Sequence, residues 1–235
     1  MLDIHSHILP KMDDGSKSVD MSLEMLRSTC AQGVTTMVST SHFYAYQEDP
    51  DRFLRRRRHA IEKLRPGIAD LDLKLYYGAE VLYYPGISQS KEIRSLAIEG
   101  TSLILIEMPF EPWSEKIYDE LISFQYNSNL QIVLAHIERY RSLQSRKIYE
   151  MLFDQPFYFQ MNAEAFTSFS SRRLALKLID RGQLHFLGTD CHNITSRPPN
   201  MDEARKVIEK KLSPDTWRAL TAEMEERFND HMIHP

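Results

Sequence analysis

Leu2-Asp3-Ile4-His5-Ser6-His7 is an apolar, strand-like run that stops on a histidine pair, and the same punctuation recurs along the chain. Val34 to Thr40 runs into His42, Leu71 to Ala79 into Glu80, Leu103 to Ile106 into Glu107, and Ile132 to Ala135 into His136. Leu184 to Leu187 leads to Asp190-Cys191-His192. Neutral imidazole and carboxylate together are what divalent transition metals take as ligands. Side chains two residues apart can aim at one centre when a strand breaks at its end. Several such ends converge in one common way, at the C-terminal rim of a barrel of parallel strands. The pattern predicts an α/β barrel carrying a multinuclear metal site at the C-terminal ends of its strands.

Between these runs the apolar residues recur at helical spacing, so strand and helix alternate as a parallel sheet or barrel requires. Val19, Leu23, Leu26 and Cys30 follow one another at steps of four, three and four, and Gly33 is a stop signal; this predicts a helix with Cys30 in the core. Further helices are expected over Asp51 to Leu64, Ser114 to Tyr126, Arg146 to Phe153, Ser171 to Arg181, Asp202 to Lys211 and Pro214 to Phe228. Strands at Phe157 to Asn162 and Leu184 to Thr189 complete seven βα units with one closing helix.

The 235 residues fit one such domain, and no Pro/Gly/Ser linker, low-complexity tract or repeat divides them. A formal net charge of −4 leaves no electrostatic footprint for general nucleic-acid binding. Two cysteines, Cys30 and Cys191, cannot make a disulfide framework, which fits a reducing, cytoplasmic setting. No apolar run approaches the roughly 18 residues of a membrane span. With His5 so close to Met1, the chain is expected to start at its first strand, without a cleaved leader.

A histidine pair near a terminus is by itself often a surface feature; the other ligand-type ends and the Asp13-Asp14-Gly15 that follows are what make it a metal signal. His59, His185, His231 and His234 lie in helix, tail or at a strand start and read as structural or solvated. Arg139 lies three residues past His136, and Arg197 lies beyond His192 in a loop that Pro198 and Pro199 keep extended. Guanidinium grips phosphate oxygens in bidentate fashion. A lone arginine would more simply pair with a surface carboxylate; two on ligand-bearing loops predict a phosphate clamp. Cys191 to Arg197 also satisfies the Cys-x5-Arg signature of cysteine-dependent tyrosine phosphatases, but the loop has no glycine and runs into two prolines instead of a helix. A thiol nucleophile is therefore not expected. Arg52 and the run Arg55 to Arg58 read as a solvated helix face in preference to a docking patch. Tyr83, with Tyr84, sits just past the Glu80 rim and is a candidate for lining a substrate cleft.

Taken together, Asp3-Ile-His-Ser-His7, Asp13-Asp-Gly15, Ser39-Thr-Ser-His42, Gly78-Ala-Glu80, Leu105-Ile-Glu107, Ala135-His-Ile-Glu-Arg-Tyr140 and Asp190-Cys-His-Asn193 with Arg197-Pro-Pro199 resemble the PHP-type (polymerase and histidinol phosphatase) protein-tyrosine phosphatases of bacterial capsule and exopolysaccharide loci. The motifs appear in order from residue 3 to residue 199. The resemblance implies a distorted (β/α)7 TIM-like barrel and a single metallophosphatase domain over residues 1–235. It places metal ligands at His5, His7, Asp14, His42, Glu80, Glu107, His136, Asp190 and His192, and catalytic, phosphate-binding arginines at Arg139 and Arg197. It implies Mn2+, three ions per chain, with Fe, Zn, Co or Mg as substitutes. The implied partner is the phosphotyrosine tail of a cognate bacterial tyrosine kinase, with neither nucleic acid nor membrane insertion involved. Three divalent ions against the carboxylates Asp14, Glu80, Glu107 and Asp190 would leave a net charge of about +2, enough for a hydroxide and much of a phosphoryl group. Cys191 and the end from Glu226 to Pro235 depart from the family pattern. Rival readings are another PHP-type phosphoesterase (a histidinol-phosphate phosphatase or a nuclease), a metal-dependent amidohydrolase, and a phosphotyrosine binder without turnover. The acidic balance weighs against a nuclease, an amidohydrolase has no need of Arg139 and Arg197, and a mere binder has no need of an intact ligand set.

Overall fold

The computed structural model describes residues 1–233, and the apolar runs in it form nine strand segments. These are β1 (Leu2–Ser6), β2 (Thr36–Ser39), β3 (His42–Phe43), β4 (Lys74–Tyr77), β5 (Glu80–Leu82), β6 (Leu103–Glu107), β7 (Gln131–Leu134), β8 (Tyr158–Asn162) and β9 (Phe186–Gly188). All pair in parallel, in the orders β1-β2-β4 and β3-β5-β6-β7-β8-β9. At the far edge β9 returns to β1: Asp190 N donates to His5 O at 2.8 Å, and His7 N to Cys191 O at 2.9 Å. The result is a curled parallel sheet, a half-barrel similar to TIM-like folds. Strands such as β6, Leu-Ile-Leu-Ile-Glu, are buried at every residue, as a sheet covered on both faces demands.

Every expected run forms a strand, but two are broken. Val34 to Thr40 gives β2 and then, past Thr40 and Ser41, β3; Leu71 to Ala79 gives β4 and then, past Gly78 and Ala79, β5. In each case the first half pairs in one sheet and the second half, which begins on His42 or Glu80, pairs in the other.

The outer helices are α1 (Val19–Ala31), α2 (Pro50–Ile68), α3 (Lys116–Ser128), α4 (Arg146–Met151), α5 (Phe169–Asp180), α6 (Met201–Lys211) and α7 (Pro214–Asp230). Their starts are written locally. Ser18, Asp49 and Ser213 each accept a backbone N–H of the first turn, and Pro50 and Pro214 supply the preset φ of a first helical residue. Asn129, left-handed at φ 55°, ends α3.

Two side-chain expectations are corrected. Cys30 is half-buried, not core; α1 turns Ser22, Met25, Leu26 and Thr29 inward, while Leu23 is drawn aside against Gly67 of α2. Arg57 is not solvated but 3% exposed: its guanidinium donates to Gly78 O at 3.0 Å and to Glu99 at 2.6 Å, closing the gap where β4 breaks from β5. Arg56 bonds Glu48 and the carbonyl of Met12, whereas Arg52, Arg55 and Arg58 are exposed as expected.

His59 is exposed on α2, and His185, just before β9, accepts the N–H of Phe159 at 3.0 Å. The segment after α7 is tied to the start of β6, with His231 Nδ1 2.7 Å from Ser102 Oγ and Ile233 N donating to Gly100 O at 2.8 Å. His234 lies outside the described residues. No helix among those residues is long and apolar enough to cross a membrane.

Candidate metal centre

The breaks at the strand ends turn their polar side chains toward one another. His5 Nε2 and His7 Nε2, from β1, are 3.2 Å apart, and each is 3.2 Å from Glu80 Oε2. Asp190 Oδ1, past β9, is 3.2 Å from His7 Nε2 and 3.5 Å from His5 Nε2. Glu80 also meets His42 Nδ1 at 3.0 Å and His136 Nε2 at 2.9 Å, and Glu107 lies 3.4 Å from His136. Asp14 closes the ring, 3.3 Å from His192 Nε2 and 3.5 Å from His42 Nε2. All nine residues expected as ligands are thus brought together.

The backbone gives up regular geometry to achieve this. His136 and Asp190 are non-glycine residues held at φ 29° and 51°, a region that costs on the order of 1–3 kcal/mol per residue. Other bonds hold both: His136 N donates to Gln160 Oε1 at 2.7 Å, and Asp190 is tied to His5 through its own N–H. Close approach fixes two glycines as well. A Cβ on Gly15 would meet His7 O at 2.3 Å, and one on Gly188 would meet His5 Cβ at 2.5 Å.

Behind the cluster lies a buried layer of hydrogen-bonding side chains whose roles the sequence reading did not single out. Asp13 Oδ2 sits 2.8 Å from His7 Nδ1 and also accepts the N–H of His42, while its Oδ1 accepts that of Gly15. Gln160 Oε1 faces His5 Nδ1 at 3.1 Å, and Asn162 Nδ2 donates to Asp190 Oδ2 at 2.9 Å. His192 Nδ1 faces Asp190 O at 2.8 Å. With Nδ1 of His5, His7 and His192 engaged outward, Nε2 of each is left facing the centre, the arrangement metal-ligating histidines require. The Asp13-Asp14-Gly15 motif divides its labour: Asp13 is the buried anchor, and Asp14, with a side chain 64% exposed, reaches the cluster from outside.

The donor set fits divalent ions. His42 Nδ1, Glu80 Oε2 and His192 Nε2 are buried in the ring and lie 3.0–3.3 Å from one another or from Asp14, His5 and His7 without well-aligned hydrogen bonds, an arrangement that a cation would satisfy and that native interiors seldom leave. Three overlapping groups, His5/His7/Asp190, His7/Asp14/His42/His192 and His42/Glu80/Glu107, each bring their ligand atoms within 4.8 Å of one another. The electrostatics ask for positive charge. Burial depresses His7, but Asp13 above all, then Asp190 and Glu80, raise it well above the usual imidazole range. Burial likewise opposes protonation of His136, yet Glu107 and Glu80 lift it to about 9. Glu80 and Asp190 are held far below the carboxylate range by the surrounding histidines, His5 first, against the pull of burial. Bonding to His192 brings Asp14 down to about 2.

Arg139 and Arg197 reach the cluster from separate loops, each guanidinium 2.7 Å from Asp190 Oδ2. They line a cleft of about 430 Å³ together with Glu80, Glu107 and Asp190. The cleft's aromatic residues are Tyr44, Tyr46 and Phe110. Tyr83, expected there, instead donates to Glu120 on α3 at 2.6 Å and is not among the lining residues. The signal missed was the Phe43-Tyr44-Ala45-Tyr46 run directly after His42. Cys191 is fully buried, and that burial pushes its thiol up to about 12, which removes it as a thiolate nucleophile.

Comparison with known proteins finds relatives over nearly the whole chain. A family model described as "Capsular polysaccharide synthesis, CpsB/CapC" matches residues 1–228. The chain is 32% identical over 223 residues to the tyrosine-protein phosphatase CpsB of Streptococcus pneumoniae, covering 90% of each protein. It is 29% identical over 237 residues to the tyrosine-protein phosphatase YwqE of Bacillus subtilis (strain 168), covering 96% of this chain and 90% of that protein. Crystal structures of YwqE from Bacillus subtilis and CpsB from Streptococcus pneumoniae are described as those of unique metal-dependent tyrosine phosphatases. One of these chains superposes with a TM-score of 0.84 at 27% identity, covering 100% of this chain and 96% of that one.

Proposed function

The chain belongs to the CpsB/CapC family of capsular polysaccharide synthesis, and from that premise we propose that it is a metal-dependent protein-tyrosine phosphatase acting on the phosphotyrosine tail of a cognate bacterial tyrosine kinase. The observation that carries this reading is that two arginines meet, through Asp190, a cluster of imidazoles and carboxylates of which His42, Glu80, Glu107 and Asp190 line the same cleft. An amidohydrolase has no use for that arginine pair. Counting β2 with β3 and β4 with β5 as halves of broken strands gives seven βα units, one (β/α)7 metallophosphatase domain over residues 1–235. It works in the cytoplasm.

His5, His7, Asp14, His42, Glu80, Glu107, His136, Asp190 and His192 hold the metal, three Mn2+ ions, for which Fe, Zn, Co or Mg can stand in. Divalent ions at such a site supply Lewis acidity and a hydroxide nucleophile at neutral pH. The remaining work falls to the chain itself. Arg139 and Arg197 exchange Asp190 for the oxygens of the phosphoryl group and hold the charge that spreads over them during transfer. Asp13, Gln160 and Asn162 keep His7, His5 and Asp190 from turning, so little reorganises when the substrate arrives. The leaving phenolate, with a pKa near 10 in free tyrosine, needs only modest proton assistance.

A turnover screen across a phosphotyrosine peptide, histidinol phosphate and a nucleic-acid diester, with and without added manganese, tests the proposal. Manganese-dependent hydrolysis of the phosphotyrosine peptide above the other two is expected. Preference for histidinol phosphate or the diester would overturn the substrate assignment.

A further inference from the structure

The phosphate chemistry makes no use of the aromatic rings in the cleft. Tyr44 stacks on His42 with centroids 5.3 Å apart and planes at 20°, and Tyr46 lies 5.6 Å from Tyr44. Phe110 stacks on His136 at 5.8 Å and 23°. His42 and His136 meet opposite oxygens of the Glu80 carboxylate, at 3.0 and 2.9 Å. The rings that cover these histidines therefore rise on two sides of the same carboxylate, in the cleft that Arg139 and Arg197 also line.

Two of these rings are open to water, and the backbone that carries Phe110 is anchored. Tyr46 is 76% exposed and Phe110 51%. Phe110 belongs to a segment tied at both ends: Met108 N donates to Tyr140 Oη at 2.9 Å, Trp113 Nε1 to Pro109 O at 2.8 Å, and Trp113 N to Gln144 Oε1 at 2.8 Å. Gln144 in turn donates to Glu111 O at 2.8 Å. A lone exposed phenylalanine is ordinary, but one carried on an anchored backbone beside a charged cleft leaves less of the segment for a ligand to order.

We propose that Phe110 on one side and Tyr44 with Tyr46 on the other clamp the phenol ring of the substrate tyrosine, so that the cleft selects aryl over alkyl phosphates; this rests on the phosphotyrosine reading above. An aromatic ring entering the cleft they line gains most where it stacks on them or meets their edges at the 4.5–7 Å centroid separations that favour such pairs. Phosphoserine places its phosphate a single methylene from the backbone. It would have to draw the peptide chain itself down between the rings, and it offers them no π face.

Binding separates the clamp from leaving-group chemistry. Inhibition by benzylphosphonate, an aryl mimic that cannot be hydrolysed, is compared with inhibition by methylphosphonate in the manganese-loaded protein, in Phe110→Ala, in Tyr46→Ala and in the double variant. Two aromatic contacts of about 0.5–1.5 kcal/mol each predict a preference for the benzyl compound that falls by roughly 5- to 150-fold in the double variant. Each single variant should lose part of it, and Phe110→Leu should retain more than Phe110→Ala. Both rings are exposed, so melting temperature and metal content should stay at wild-type values; if Phe110→Ala does not fold, Tyr46→Ala carries the same test. An unchanged benzyl-to-methyl ratio in folded, metallated variants, while phosphotyrosine peptide is still turned over, overturns the clamp alone. Failure of the wild type to hydrolyse phosphotyrosine peptide overturns the reading on which it rests.

Discussion

Arg139 and Arg197, from loops 58 residues apart in sequence, each place a guanidinium nitrogen 2.7 Å from the same oxygen of Asp190. Asn162 donates to that oxygen too, at 2.9 Å, while the other oxygen of Asp190 faces His5 and His7. One carboxylate thus joins the proposed metal ligands to the proposed phosphate clamp. Both guanidiniums are about one-third exposed and open on the cleft, so an incoming phosphate can replace Asp190 as their partner without a large movement.

Substitution of either arginine by alanine should therefore cost roughly 10²- to 10³-fold in kcat, about 3–4 kcal/mol, if it holds charge that grows in the transition state. A rise in KM with kcat nearly constant would mean that it mainly holds ground-state phosphate. Metal content should not fall, because Asn162 still engages Asp190 and neither arginine is a ligand. Kinetics within twofold of wild type for both single variants and the double variant would remove the clamp.

The metal centre gives a second expectation. Purified protein incubated with manganese should carry more than one ion per chain and lose activity in chelator, and metal affinity should fall as pH drops through the imidazole range because the ligands must be deprotonated. Asp13→Ala should weaken manganese binding about 10- to 100-fold, since it frees His7 Nδ1 and the backbone of His42 without deleting a ligand. Excess manganese should restore most of its turnover. One equivalent or fewer in the wild type, by elemental analysis, speaks against a multinuclear site.

Much of this arrangement was legible in the chain because ligands at strand ends leave an abrupt mark: an apolar run that stops on His, Asp or Glu. Gln160 and Asn162 left no such mark, and Asp13 was marked only as part of Asp13-Asp14-Gly15, with nothing to separate its role from that of Asp14. A buried amide or carboxylate behind a ligand looks like any polar residue until the fold sets it 3 Å from an imidazole. The broken strands were hidden for a related reason, since the apolar pattern runs on through Thr40 and Ala79 and the jog depends on pairing with two different neighbours. Arg57 looked solvated beside Arg55, Arg56 and Arg58 because composition cannot tell which turn of an arginine-rich helix faces the carbonyl of Gly78 at the strand break. Tyr44 and Phe110 went unnoticed where Tyr83 was favoured; nearness to a ligand in sequence did not separate the ring that lines the cleft from the one bonded to Glu120.

Cys191 supplies a third prediction. Although it stands between Asp190 and His192, its side chain is buried and its thiol resists ionisation. Cys191→Ser should keep most of the phosphatase activity, and iodoacetamide should label this position only after unfolding, whereas His136→Ala should nearly abolish turnover. A folded, fully metallated Cys191→Ser protein without activity would falsify the metal mechanism.

His185 offers a stability test away from the cluster. Burial, aided by Arg227, lowers it to about 4, and in the neutral form its Nδ1 accepts the N–H of Phe159. Above about pH 6.5 the residue is neutral both folded and unfolded, so it adds no pH dependence there. Between about pH 6.5 and pH 4 the unfolded chain binds a proton that the folded chain refuses, and stability falls as pH falls through that window. The full effect is at most about 3 kcal/mol, less whatever solvent screening its partial exposure allows. His185→Gln keeps an acceptor but cannot titrate. In denaturant unfolding of metal-free protein it should be less stable than wild type at pH 7, and the gap should shrink by about 1–3 kcal/mol at pH 4.5. Other titrating groups affect both proteins alike and cancel in the difference. A gap that does not change with pH would show that His185 takes up its proton equally in both states, and that its burial does not set its charge.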